Sequence, residues 1–206
     1  MGRRYIATLL LMSLAAPVAA APACEVLAVR GEARSADRAL AVGDRLEPGA
    51  ELRTGTDGRV RLRFGDGSTL VVGDRTVLKI ERFEPAPRRA GLLLESGLIG
   101  QKVEPAVGGA WEVRTPTAVT AVRGTEFIVE VGGDLATEVQ VRSGKVEVEA
   151  LQSAAGGGTR SLRPRSRVTL EQPLASTLCN PRSGCSPSAP WSAERAQRSQ
   201  DRLGEF

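Results

Sequence analysis

From Glu25 to Glu171 apolar residues recur at alternate positions in short runs, and Gly, Asp, Pro and Ser cut the runs apart. Arg59-Val60-Arg61-Leu62-Arg63-Phe64 places Val60, Leu62 and Phe64 on one face and three arginines on the other, the period of a half-exposed strand. Gly65-Asp66-Gly67-Ser68 then turns the chain into Thr69–Val72, and Thr76–Ile80 follows after Gly73-Asp74. Further on, Phe127, Val129 and Val131 alternate with Glu126, Ile128 and Glu130, and Gly132-Gly133-Asp134 leads into Thr137–Arg142. Ser143-Gly144 reads as the next turn. Lys145-Val146-Glu147-Val148-Glu149 alternates cleanly after it, as a sheet with one wet side requires.

This pattern predicts an all-β domain of short strands. Leu52-Arg53-Thr54-Gly55 echoes Val113-Arg114-Thr115-Pro116, and Glu95-Ser96-Gly97-Leu98 echoes Arg142-Ser143-Gly144-Lys145. The echoes suit a solenoid-like or roll-like stack in which each layer buries its apolar face on the next. A Greek-key β-sandwich is the alternative for strands at this spacing. Aromatics make up only 3% of the 206 residues while Gly numbers 23, so the core must come from Val, Leu, Ile and Ala on frequently turning segments.

Outside 21–171 the pattern changes. Arg3-Arg4, the apolar run Ile6–Ala16 and the small residues Val18–Ala21 have the order of a cleavable secretory signal, residues 1–20, with cleavage after Ala20 and the site after Ala23 second. The run is far shorter than the roughly 20 residues of a spanning helix, and no later segment approaches that length, so no transmembrane helix is expected in the mature chain. Residues 172–206 form a Pro/Ser/Arg-rich tail, read as largely disordered, with a frayed helix over Ser192–Leu203 offering little apolar surface beyond Trp191 and Leu203.

The formal charge of +4 is unevenly spread: residues 160–206 carry eight Arg against four acids, while the preceding domain is slightly acidic. A basic tail without base-reading aromatics on an exported chain argues against nucleic acid as a partner and leaves cell-wall polymer or anionic lipid as candidates for weak contact. Cys179 and Cys185 flank Asn-Pro-Arg-Ser-Gly, a turn-rich spacer, and are expected to form a disulfide in an oxidising compartment. Cys24 is left over, and Ala21-Pro22-Ala23 before it fits a lipoprotein signal poorly.

The most informative run is Thr115-Pro116-Thr117-Ala118-Val119-Thr120-Ala121-Val122-Arg123-Gly124-Thr125-Glu126-Phe127. Pro116 suits a strand start or edge, the small residues allow close approach of layers, and Gly124 marks a bend. The run resembles the signature of the FecR domain family, where a Thr-Pro pair, a small-residue strand and Arg-Gly-Thr-x-Phe occur in this order. Thr54-Gly55 with Asp57-Gly58-Arg59, Phe64-Gly65-Asp66-Gly67-Ser68, Leu94-Glu95-Ser96-Gly97 and Val141-Arg142-Ser143-Gly144-Lys145-Val146 extend the resemblance across residues 25–171. It implies export and a protein-contacting, signal-handling role, with Thr115, Pro116, Val122, Arg123, Gly124, Thr125, Phe127 and Gly144 as structural motif positions. Arg123 is read as tying down a turn. Members that regulate iron uptake carry a cytoplasmic region and a membrane-spanning helix before the domain; this sequence matches neither, so direct sigma-factor control is not expected.

The sequence contains no histidine, which removes imidazole catalysis and His metal ligands, and neither a phosphate loop nor a serine elbow is present. Asp57, Asp66 and Asp74 each neighbour Gly, the ordinary chemistry of turns; calcium held by Asp66, Asp74 and Asp134 is a softer alternative lacking the nine-residue repeat. Neither enzymatic activity nor a cofactor is expected. The reading is a periplasmic or secreted interaction and sensing module with an envelope protein as partner, and a scaffold on cell-wall polymer as alternative. Arg59, Arg61 and Arg63 form the candidate contact face, being the longest one-sided charge row on a strand.

Overall fold

The computed structural model describes residues 22–151 and 164–204, so the signal segment 1–20 lies outside the described residues. The first half forms β1 (Cys24–Arg30), β2 (Ala33–Ser35), β3 (Arg38–Ala39), β4 (Arg45–Leu46), β5 (Glu51–Thr54), β6 (Arg59–Phe64), β7 (Thr69–Val72), β8 (Val77–Pro85) and β9 (Arg88–Val103). The second forms β10 (Ala110–Arg114), β11 (Ala118–Val122), β12 (Thr125–Val131), β13 (Thr137–Ser143), β14 (Val146–Leu151), β15 (Pro164–Leu170), β16 (Ala175–Asn180), β17 (Gly184–Cys185), β18 (Ala189–Pro190) and the helix α1 (Ala193–Leu203).

These strands build the all-β fold as a roll with two faces. The first face runs β4-β1-β6-β7-β9-β12-β13-β16, antiparallel throughout. The second runs β3-β2-β5-β8-β9-β10-β11-β14-β15, antiparallel except between β9 and β10. β9 belongs to both: Arg88–Ser96 pairs with β8 on the second face, and Gly97–Val103 pairs with β12 on the first. Alternating residues from the two faces meet in one core, with Leu62, Leu70, Ile99, Phe127 and Val141 from the first against Leu78, Leu92, Trp111, Val146 and Val148 from the second. Trp111 is fully buried, and its Nε1 donates to Gln101 Oε1 at 2.7 Å, so the indole enters the core with its polar atom satisfied.

Passages between the faces lie along both edges of the roll. Strand registers place the crossings β1–β2, β5–β6 and β7–β8 beside the bend of β9 at Gly97, whereas β11–β12 and β13–β14 cross beside its far end, at Gly124 and Gly144. Crossing breaks the regular ladder, and threonine hydroxyls satisfy part of the interrupted backbone. Thr54 Oγ1 donates to the Gly73 carbonyl (2.6 Å) and accepts from Thr76 N–H (2.9 Å). At the opposite edge Thr125 Oγ1 donates to the Lys145 carbonyl (2.9 Å). Ser143-Gly144, expected as a turn, is a passage from one face to the other, and so is Gly73-Asp74. The echo between Thr54-Gly55 and Thr115-Pro116 also dissolves, because the first crosses faces and the second turns the β10–β11 hairpin.

The tail departs most from expectation. Residues 174–204 are packed on the domain rather than free: β16 pairs with β13, β17 and β18 pair with β16, and α1 lies on the outer side of the first face. Composition suggested a solvated segment because Pro, Ser and Arg dominate. What holds it is the otherwise open edge of β13 and an apolar patch with acidic neighbours that these residues complement. The Cys179–Cys185 disulfide is formed, and Cys179 is fully buried in the main core, so the loop it closes is part of the domain.

Candidate partner-binding surface

The motif residues serve the closure of the roll. Where the second half is open, Thr115 and Thr117, at the tip of the β10–β11 hairpin, share hydrogen bonds with Thr137 Oγ1, each at 2.7 Å, and Thr117 Oγ1 also lies 3.2 Å from the Cys179 carbonyl. The exposed Pro116 between them turns the hairpin. Where the first half is open, Arg88 plays the same part: its guanidinium, almost wholly buried, bonds the Glu104 carbonyl and pairs with Asp66 Oδ2 at 3.4 Å. Asp66 in turn accepts from Ser68 N–H (3.0 Å) and Ser68 Oγ (2.9 Å). The sequence reading missed Arg88; an arginine flanked by the apolar start of a strand was the available signal.

Val122 and Phe127 are core residues on either side of Gly124, whose φ of +132° and approach to Pro105 leave no room for a side chain. Gly144, at φ +87°, lies against the Gly124 carbonyl. Thr125 is the hydroxyl bridge between these two crossings. Arg123 stands at the β11–β12 crossing. It is exposed, and among the described residues no buried carboxylate stands beside it; with Lys145 and Glu147 it rims an open depression on the second face.

Arg59, Arg61 and Arg63 lie in a row on the outer side of β6, but their surroundings differ. Arg63 pairs with Glu25 across to β1 at 3.3 Å. Arg59 donates to the Asp201 carbonyl at 2.7 Å, where the carbonyl end of α1 gathers partial negative charge. Arg59 and Arg61 line a trough of about 380 Å³ together with Ala28, Arg30, Val71 and Leu203. The trough thus brings together three arginines from two strands, an apolar floor and the end of the helix. The outer edge of β1 is bonded to β4 at Cys24 and Glu25 and to Gly43 and Asp44 at Val26; beyond Val26 no strand among the described residues pairs with it, so the trough opens beside a short free sheet edge.

Next to it, Val71, Leu98 and Ile128 form an apolar patch on the outer side of the same face, separate from the main core and covered by Trp191 and Leu203. Alternation on β12 assigned Ile128 to the wet side; the helix makes that side dry. Asp74, Glu130 and Glu138 surround the patch. Arg195 of α1 bonds Glu138 (2.7 Å) and Glu130, and Arg202 bonds Asp74 (2.7 Å) and Glu130. Trp191 Nε1 donates to Glu138, and the Arg195 guanidinium lies 4.7 Å over the indole ring. Burial works to raise the Asp74 carboxyl, but the hydrogen bonds and charges of Arg202 and Arg75 outweigh it and hold the group below its ordinary range. Burial likewise opposes the Arg195 charge, and Glu138 and Glu130 overcome it.

Cys24, at the start of β1, is buried, and desolvation pushes its thiol up to about 12. No cluster of His, Cys, Asp and Glu suited to a metal occurs among the described residues, and Asp66, Asp74 and Asp134 are engaged at separate turns. No helix among the described residues is long and apolar enough to cross a membrane.

Comparison with known proteins agrees with the motif. The family model described as FecR protein matches residues 50–147. Two crystal structures of a protein from Parabacteroides distasonis ATCC 8503, whose proposed role is that of an anti-sigma factor, share the fold with a TM-score of 0.56 at 23% identity. The match covers 71% of this chain and 62% of theirs, so the chain spans under two thirds of their length. No curated protein matches the chain.

Proposed function

We propose that this chain, whose residues 50–147 match the family model described as FecR protein, is an exported, non-enzymatic sensing module that binds a protein of the cell envelope and passes its state on in signal transduction. The observation that carries this reading is the trough lined by Arg30, Arg59 and Arg61 beside the free edge of β1. It is a concave, basic site with an apolar floor, built where the end of β1 lies beside the start of β6. Its charge favours an acidic segment of the partner, and the open edge offers main-chain hydrogen bonds to an extended one. Periplasmic or secreted location follows from the leader pattern in residues 1–20, and the buried thiol of Cys24 argues against a lipid on that residue.

Cell-wall polymer is a weaker candidate than the composition of the tail suggests. Arg195 and Arg202, two of the arginines that would serve it, are committed to Glu130, Glu138 and Asp74.

The test is site-specific photo-crosslinking in cells, with the probe at Arg61 and, as control, at Glu149 on the second face. A discrete adduct at Arg61 that is absent at Glu149 is expected. The pair Arg61→Glu with Arg63→Glu should keep the circular dichroism spectrum and melting temperature of the parent while abolishing an adduct formed from a probe at Ala28. Equal adducts from both faces, or an adduct indifferent to the reversal, would refute the assignment.

A further inference from the structure

The surface beneath α1 is built unlike the rest of the outer face. In strand register, Val71, Gly100, Ile128 and Gln140 lie in one row across β7, β9, β12 and β13, and Leu98, Glu130 and Glu138 lie in the next. One row is apolar over three strands and the other is acidic at one end. A helix laid on it must carry apolar groups for the first and cations for the second. α1 with Trp191, just ahead of its N-cap Ser192, supplies both: Arg195, Ser199 and Leu203 stand four apart, Arg202 stands beside Leu203, and all turn toward the sheet.

The fit is incomplete at its centre. Ser199 is fully buried, and its hydroxyl finds no partner among the described residues; the same holds for Oε1 of the buried Gln140 in the row below. A buried polar atom left unpaired weakens the contact it sits in. The principal apolar anchors are Trp191 and Leu203, at the two ends, while charge-assisted bonds from side chains a quarter to a third exposed hold the middle. Their carboxylate partners are partly buried, so salt screens these bonds little, but another guanidinium offering the same geometry competes for them. The approach to the helix is a strap whose β18 is two exposed residues, Ala189 and Pro190.

We propose that this face is a helix-receiving site, that α1 is its occupant within the chain, and that a partner's basic amphipathic helix with the same stripe takes its place. The stripe is an aromatic residue, an Arg four positions on, a small apolar residue four further on, and an Arg-Leu pair completing it. The carboxylates of Asp74, Glu130 and Glu138 select for the arginines, and an apolar side chain at the position of Ser199 gives the incoming helix an advantage over α1. This surface shares Val71 and Leu203 with the arginine trough, so the test below reads helix binding directly and needs no envelope partner, which separates its outcome from that of the contact proposed there.

The experiment uses the full chain and a fluorescein-labelled synthetic peptide of residues 188–204, followed by anisotropy. The Arg195→Glu, Arg202→Glu chain, with its own helix repelled from the face, should bind the peptide at least about tenfold more tightly than the parent chain, in which the face is occupied. A peptide carrying Ser199→Ala should bind the parent chain about tenfold more tightly than the unmodified peptide. Adding Glu130→Lys and Glu138→Lys to the chain should abolish binding of both. Hydrogen exchange on the parent chain gives a reading that needs no variant: α1 amides should exchange well ahead of those of β9 and β12. A folded double variant that fails to bind the peptide, binding insensitive to the two lysines, or α1 amides as protected as β9 would each overturn the proposal.

Discussion

Replacing Gly124 by Ala tests the idea that the passages between faces, and not only the core, decide which sequences take this fold. Two effects combine at this position. The backbone stands at φ +132°, outside the range of ordinary L-residues, which costs about 1–3 kcal/mol for a residue with a Cβ. The added carbon would also come 2.8 Å from Pro105 Cα and 3.1 Å from its Cβ, forcing the 104–109 connection outward. Overpacking of this kind costs roughly 1–3 kcal/mol more, and the exposed loop can yield, so about 3 kcal/mol in total is expected. For a chain of this size that lowers the melting temperature by roughly 6–12 °C. Two other glycines separate the contributions. Gly43 has φ +88° and nothing within 4 Å of where a Cβ would stand, so Gly43→Ala should show the backbone cost alone, about 1 kcal/mol. Gly133 has neither constraint, and Gly133→Ala should be neutral or stabilise by about 0.5 kcal/mol through the unfolded chain. Urea unfolding followed by the fluorescence of the buried Trp111 reads all three. If Gly124→Ala unfolds at the same midpoint as Gly133→Ala, the crossing tolerates a side chain and the account of the motif glycine is wrong.

Cys179→Ser with Cys185→Ser should destabilise the whole domain by about 2 kcal/mol from loop entropy alone, given a separation of six residues, and by more because Cys179 is buried; an unchanged urea midpoint would place the 179–185 loop outside the cooperative unit. Asp74 has its folded carboxyl below the ordinary 3.8, so the stability it lends to α1 is fully present above that pH and is lost as pH falls through the lower folded value. Acrylamide quenching of Trp191 in a Trp111→Phe background should therefore rise below about pH 4, and Asp74→Asn should flatten the rise; quenching that is flat in the parent would show that this ion pair does not hold the helix.

Strands were legible because alternation is local: the pattern of β6 or β14 needs only its own residues. Whether a glycine-bearing break reverses the chain or carries it to the other face is not local. Gly65-Asp66-Gly67-Ser68 makes a hairpin and Gly73-Asp74 a crossing, with nearly the same residues, and the difference lies in which strand waits beyond the break. The motif around Thr115 and Gly124 was visible as a run, yet its purpose emerged only with its partners Thr137 and Pro105, one of them on another strand. The tail was misread for a related reason. Ser, Pro and Arg do not make a core by themselves, and the acids that recruit Arg195 and Arg202 sit more than 50 residues earlier in the chain. Arg59 and Arg61 were found as a charge row, but Arg30 and Leu203 join them only through the pairing of β1 and the docking of α1.

In a two-layer β protein whose sheets share no strand, the register of one sheet is not tied by backbone to the register of the other. Here β9 is common property: its first nine residues are a rung of one face and its last seven a rung of the other. A slip of one residue along β12 would have to be repeated along β8 and β10, turning Leu92 and Leu94 out of the core as it turned Ile99 out. The faces are therefore geared together: a shift of β7 or β12 along β9 is carried to the opposite face through the same backbone, without any side chain as intermediary.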